Sequence, residues 1–438
     1  MTSQATARVR YAAFATAIFV ASLLPKTFIF AGNEPVALNY AVATVSLLAA
    51  AAMLLPKLRD IPVNPNAAIV LLTAIAWSVF SGFESGITLN LVAAGTFAIT
   101  SVGFGFILPA LMFVARREPT IIIRDVLAVM SVVSIILYVL DPTLAIDPDS
   151  GRIAGAYVSV AVASSMFGFA AILALRSALT SQHRLFVWIW AGITLISLTL
   201  LYLTRTRSSL VEVLTTALVI VTLTPLSRGV RLVVMSLTGL MLVTVASAAV
   251  VVSTGIVAID DELAEFRLAD HSLSDSRGGN WDFGVERIRN KPLFGEGLLA
   301  KQTQGGTSGV DFSSATSYDP LYDPHSLILS FGVEGGVPFL LLMTALFVLI
   351  PVRFVQAFGW RASLQAPEFV IATARLAVSI FSGGDMTTLG NVVEKTIWIL
   401  LGTMMLKAEL QMRARRASQR NAQTTVPSHG MVIQPYRG

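Results

Sequence analysis

Apolar runs of about 20 residues, each long enough to cross a hydrocarbon core of about 30 Å, recur from residue 11 to residue 406. With 55% hydrophobic and 13% charged residues, the composition argues against a soluble enzyme and for a multi-pass membrane protein. Read between polar or Gly/Pro punctuation, the runs predict about twelve helices: 11–31, 36–55, 67–83, 88–114, 120–140, 153–175, 185–204, 208–224, 230–258, 326–350, 366–381 and 390–406. The first follows Arg8 and Arg10 but lacks a small-x-small cleavage site, so it is read as a retained helix rather than a signal peptide. The chain has no cysteine, and its histidines stand apart at 183, 271, 325 and 429. No metal site and no cofactor is expected from such a set.

An even number of spans puts both termini on one side. Of 31 Lys and Arg residues, 18 fall on that side, outside the spans or, for Arg231, at the very start of one: Arg8, Arg10, Lys57, Arg59, Arg116, Arg117, Arg176, Arg184, Arg228, Arg231, Arg353, Arg361, Lys407, Arg413, Arg415, Arg416, Arg420 and Arg437. The positive face is the cytoplasmic one. This bias accounts for most of the net charge of +5, and no nucleic-acid partner is needed to explain it. Five regions follow: a cytoplasmic N-terminus (1–10), helices 1–9 (11–258), one long extracytoplasmic loop (259–325), helices 10–12 (326–406) and a basic, disordered cytoplasmic tail (407–438). The loop's segment 260–325 holds 12 of the 26 acids against 6 bases. Trp281, Val285 and Ile288 recur there at helical spacing, so the loop is expected to be partly helical and to carry function.

Three constellations face that compartment. Arg205 and Arg207 sit at an extracytoplasmic join where the positive-inside rule disfavours cations, which points to an anionic headgroup held by bidentate hydrogen bonds; lipid phosphates or loop acids are the plainer reading. Asp275-Ser276-Arg277-Gly278-Gly279-Asn280-Trp281 precedes the amphipathic segment, where Asp275 or Ser276 is suited to cap a helix and Arg277 adds a donor for an anion. Arg287, Arg289 and Lys291 follow on what reads as a solvated or headgroup-facing side, with Arg289 retained as a binding candidate. In Asp323-Pro324-His325-Ser326, Asp as N-cap and Pro at the first helical position place His325 in the first turn of the tenth span. The positive helix terminus would keep its imidazole neutral and able to take a proton from a hydroxyl. Within the spans, Arg124 with Asp125, and Glu394 with Lys395, read as solvated near span ends, while Glu334 and Arg375 are deep enough to pair across helices.

Together these residues resemble the membrane superfamily of O-antigen ligases and Wzy-type polysaccharide polymerases, including exopolysaccharide-production polymerases. The resemblance runs from about 200 to 406. It is carried by Thr206-Arg207-Ser208-Ser209-Leu210, by Ser276-Arg277 with Trp281, by Pro292-Leu293-Phe294-Gly295-Glu296-Gly297, and by Pro324-His325-Ser326-Leu327-Ile328-Leu329 leading into Glu334-Gly335-Gly336. Ser326 departs from the family, where Asn often follows the histidine. The resemblance implies an all-α, GT-C-like, metal-independent glycosyltransferase in a bacterial inner membrane, with its site facing the periplasm. The implied donor is a polyprenyl-diphosphate-linked oligosaccharide; the acceptor is a growing glycan or lipid A core, and a chain-length regulator is a possible partner. His325, Arg207 and Arg277 would be catalytic, and Arg205, Arg207, Arg277 and Arg289 would hold the diphosphate. A polymerase of lipid-linked repeat units is the leading expectation, a ligase using the same carrier the second, and a transporter the third. A cysteine placed at Ser308 is expected to react with a membrane-impermeant maleimide in cells with a permeabilised outer membrane; labelling only after lysis contradicts this topology.

Overall fold

The computed structural model describes residues 2–23, 36–147, 151–157, 159–224, 273–298, 324, 326–382 and 392–424. Among these the protein is all-α, its one β feature being an isolated bridge between Ile146 and Ile153. The helices are α1 (Thr2–Leu23), α2 (Val36–Leu54), α3 (Pro65–Glu84), α4 (Thr88–Val102), α5 (Leu108–Ala115), α6 (Pro119–Leu140), α7 (Pro142–Ala145), α8 (Val160–Thr180), α9 (Arg184–Leu203) and α10 (Arg207–Leu223). After the loop come α11 (Leu273–Asn290), α12 (Leu327–Phe358), α13 (Trp360–Gln365), α14 (Pro367–Ser382) and α15 (Val392–Thr424). A π-turn, Gly103–Ile107, joins α4 to α5.

Six described stretches are long and apolar enough to cross a membrane: Pro65–Glu84, Asn90–Ala115, Pro119–Leu140, Val160–Thr180, Arg184–Leu203 and Leu327–Phe358. Helices also occupy five further expected spans, and the expected span 230–258 lies outside the described residues. The sixth span starts later than expected, at Val160, where Ser159 accepts from the Val162 amide and fixes the cap. The final helix runs past the expected end at 406 to Thr424, so the basic stretch 407–424 is helical rather than disordered.

Polar side chains face inward and tie helices together, as expected where lipid offers no hydrogen bonds. Ser197 bonds Ser131 at 3.0 Å and Ser209 bonds Ser164 at 3.1 Å. Outside, Phe80, Val139, Leu140, Leu185 and Trp188 are exposed, an apolar surface suited to acyl chains. At one end of the bundle Asn64, the α3 N-cap, donates to Glu409 of α15 at 2.7 Å, and Arg353 of α12 reaches the same carboxylate at 3.1 Å. At the opposite end lie the α3–α4 turn and the start of α12. Intramembrane charges differ from expectation in two places. Arg375 pairs with Glu212 of α10 at 3.3 Å rather than with Glu334. Glu394 and Lys395 are 1% and 2% exposed, not solvated, because α15 enters the interior at Val392 and sets Lys395 over the Phe104 ring at 5.5 Å.

The central irregularity is a break in α12. Gly336 takes φ 72° and ψ −175°, and Pro338 follows with no amide hydrogen to donate, so helical bonding lapses across 333–338. The carbonyls of Val333, Glu334 and Gly335 and the amide of Val337 find partners outside the helix. The amides of Glu296 and Gly297 donate to the carbonyls of Val333 and Glu334 at 2.8 and 2.9 Å, and the Val337 amide donates to Pro292 O at 2.8 Å. Trp77 Nε1 donates to Gly335 O at 2.9 Å, and Ser81 Oγ reaches Glu334 O at 3.0 Å and also Phe294 O. The Trp77 ring stacks on Phe294 with centroids 5.2 Å apart. A Cβ at position 336 would fall on Leu293 O, so Gly336→Ala is expected to abolish recovery of folded protein. Trp77→Phe keeps the stack and removes one buried bond. It should lower stability by about 1–3 kcal/mol, read as a lower melting temperature in detergent; an unchanged melting temperature contradicts this account of the break.

Candidate active site

The first candidate pair stands on the turn between α9 and α10. Thr204 ends α9, and Arg205 adopts the left-handed region at φ 52° with its amide bonded to Tyr202 O at 2.9 Å. Arg116 does the same after α5, so the conformation at 205 is a helix-ending turn and not by itself a mark of function. Arg207 is the first residue of α10, and the N-cap Thr206 makes no side-chain bond to the first turn. The α10 amides therefore present their positive end beside two half-buried guanidiniums, an arrangement suited to an anion. Ser209, two residues on, is buried and holds α10 against the start of α8.

Arg277 lies on α11, which begins at Leu273, so Asp275 and Ser276 stand inside the first turn rather than ahead of it. The Arg277 side chain falls outside the described residues. Toward its end α11 lies along the start of α12. A Cβ on Gly284 would stand 3.0 Å from Pro324 Cβ, and one on Gly332 would overlap Ile288. The two segments run side by side in the same direction, with the N-terminal half of α11 extending beyond the α12 start. Arg289 is exposed. Arg287, read from sequence as solvated, is instead 6% exposed and bonded to Glu296 at 2.6 Å. This ion pair was missed because its partners are nine residues apart, across a helix end, where no helical spacing rule applies.

His325 falls outside the described residues, but its flanks are described. Ser326, not Asp323, is the N-cap of α12: its side chain accepts from the Leu329 amide at 3.5 Å, and the helix starts at Leu327. The first turn therefore begins two residues after His325, which removes the argument that the histidine sits inside it. Asp323 and Ser326 are both good cap residues, and the Pro at 324 misled the reading.

At one end of the bundle, then, the structure gathers the α9–α10 turn, the docked segment after α11 and the start of α12. The segment is fastened on a third side by Asn90, which donates to Glu296 O at 3.1 Å and to Ser85 Oγ at 2.8 Å. The contribution of Trp77, Ser81 and Asn90 from α3 and α4 was not legible in sequence, because Trp, Ser and Asn there fit an ordinary packed helix and turn. Among the described residues no group of three or more His, Asp or Glu side chains is placed to hold a metal.

Arg287→Gln leaves the Glu296 carboxylate without its buried partner and is expected to cost about 1–3 kcal/mol, below the figure for a fully buried pair because Glu296 is partly exposed. The swap Arg287→Glu with Glu296→Arg should recover part of this loss. Equal melting temperatures for wild type and Arg287→Gln contradict the role given to the pair.

Residues 192–344 match a family model described as O-antigen ligase. No curated protein matches the chain. The matched region contains Arg205, Arg207, Arg277, Arg289 and His325, the docked segment Pro292 to Gly297 and the break at Gly336. About a third of the chain thus matches this family model, and the motifs that carry the resemblance lie within the matched residues.

Proposed function

We propose that the chain is a polymerase that joins polyprenyl-diphosphate-linked oligosaccharide repeat units into an exopolysaccharide or O-antigen at the outer face of the inner membrane. The observation that carries this reading is the gathering, at one bundle end and inside the matched region, of the α10 start with its two arginines, the docked α11 and the α12 start. In the reaction an acceptor hydroxyl attacks the anomeric carbon of the donor sugar. A glycosidic bond forms, the bond from that carbon to the phosphate oxygen breaks, and the lipid diphosphate departs. Arg207 and Arg277 stabilise the charge that grows on the diphosphate, Arg205 and Arg289 flank it, and His325 takes the hydroxyl proton. No metal is assigned a step. The proposed architecture is GT-C-like with about twelve spans.

A ligase that passes finished glycan from the same carrier to lipid A core is the second reading, favoured by the description of the matched family. Donor and leaving group are the same in both. The transporter reading loses support at the break in α12, because the chain's own segment Pro292 to Gly297 fills it where a transporter would line a substrate cavity.

Arg207→Lys keeps the charge and loses the planar fork, and Arg207→Ala loses both. Polymer output at equal protein abundance is expected to fall about a hundredfold in the alanine variant, with lysine restoring only a small part. His325→Ala should abolish product while donor binding persists; normal output from either alanine variant contradicts the assignment.

A further inference from the structure

A second polar site lies at the far end of α8 from Ser164 and Ser209. A cavity of about 410 Å³ opens there among α6, α8, α13, α14 and α15, lined by Glu118, Thr120, Arg124, Arg176, Glu368 and Lys407 among others. Two helices of 22 and 16 residues, α6 and α14, present their N-terminal ends to it. Both begin with proline, and Glu118 makes no side-chain cap bond to α6, so first-turn amides and helix dipoles add positive character.

Most of the charges here are matched. Lys407 bridges Glu368 at 2.9 Å and Glu118 at 3.4 Å. Arg124 bonds Asp125 and Ser177 and lies over the Trp190 ring at 4.0 Å. Two groups lack a direct hydrogen bond among the described residues. The Arg176 guanidinium, half-buried on the cavity wall, makes none, although the charges of Glu368 and Glu118 act on it, and Glu368 Oε2, on a side chain 1% exposed, has none either. One is a planar fork of donors that fits a phosphate, the other an acceptor that fits an ammonium. A buried polar atom in the state of Glu368 Oε2 is uncommon in a finished structure and calls for a partner.

We propose that this cavity binds the phosphoethanolamine headgroup of a membrane phospholipid, with its phosphate on Arg176 and its ammonium taken by Glu368, whose carboxylate rotates on binding to present the now sealed Oε2. The cavity lies at the ends of two helices long and apolar enough to cross a membrane, α6 and α8, where headgroups reside. A trimethylated ammonium has no hydrogen to donate to Glu368, and a glycerol headgroup has no cation, so each meets only half of the site. The site joins five helices at the end of the bundle opposite the proposed glycan chemistry and does not depend on that reading.

The test is native mass spectrometry of the full chain, released from detergent, with phosphatidylethanolamine, phosphatidylcholine and phosphatidylglycerol of identical acyl chains. Phosphatidylethanolamine is expected to be retained about tenfold more than either of the others, the equivalent of one charge-assisted bond. Arg176→Gln removes no hydrogen bond made among the described residues but takes a cation away from Glu118 and Glu368, so it is compared with wild type at equal melting temperature, with Arg176→Lys as the charge-preserving control; Arg176→Gln should erase the preference. Glu368→Gln should do the same where it folds, Arg176→Gln being decisive because Glu368 also pairs with Lys407. Soluble O-phosphoethanolamine in excess should displace the lipid, and inorganic phosphate should not. Equal retention of the three lipids, or a preference that survives Arg176→Gln, overturns the proposal. So does displacement by phosphate alone, and so does failure of O-phosphoethanolamine to displace, which marks anchoring by acyl chains.

Discussion

A helix that breaks inside an apolar bundle leaves backbone groups that neither lipid nor water can satisfy, and the rest of this protein's candidate active end is arranged around meeting that demand. The break at Gly336 and Pro338 frees the carbonyls of Val333, Glu334 and Gly335 and the amide of Val337. Two amides, one carbonyl, one hydroxyl and one indole take the place of a continuous helix here. Most come from the segment after α11, and the remainder from Trp77 and Ser81 of α3. An unmet buried bond costs about 1–3 kcal/mol, so several left open together would exceed what a marginally stable fold tolerates.

The same contacts give the long loop a fixed attachment. Residues 292–297 cannot satisfy the break without drawing the end of α11 onto α12, and Arg287 with Glu296 closes that joint from the α11 side. Two motifs that look like separate signatures in the chain, Pro292 to Gly297 and Glu334 to Gly336, are therefore two halves of one contact. Their effect on the proposed chemistry is positional. They set the helix that bears Arg277 beside the cap that follows His325, while Ser209 sets the α10 start by its bond to α8.

The sequence carried much of this architecture and less of its joints. Span positions were readable because apolar run length is a direct physical requirement of the bilayer, and α3, α6, α9 and α10 begin or end within a few residues of expectation. Local end signals were weaker. Asp323 and Ser326 both satisfy cap chemistry, and the choice of Ser326 depends on where the first turn can lie against Gly284 and Ile288. Pairings were the least legible. Arg375 meets Glu212 and not Glu334, Arg287 is buried, and Glu394 with Lys395 lies inside, because which helices are neighbours is not written in any one of them. Of the candidate site residues, Arg205 and Arg207 are placed at the expected turn, Arg277 on the expected helix and Arg289 at its exposed side; His325 and the Arg277 side chain lie outside the described residues.

The central claim, that this end of the bundle transfers glycan from a lipid diphosphate, is tested most directly by reconstitution. Purified full chain in nanodiscs, with chelator present, is given a polyprenyl-diphosphate-linked repeat unit, and the lipid-linked products are separated by size. The account predicts a ladder of repeat units that forms without added metal. Folded protein that leaves the donor unchanged, both alone and with a lipid A core acceptor supplied, would contradict it.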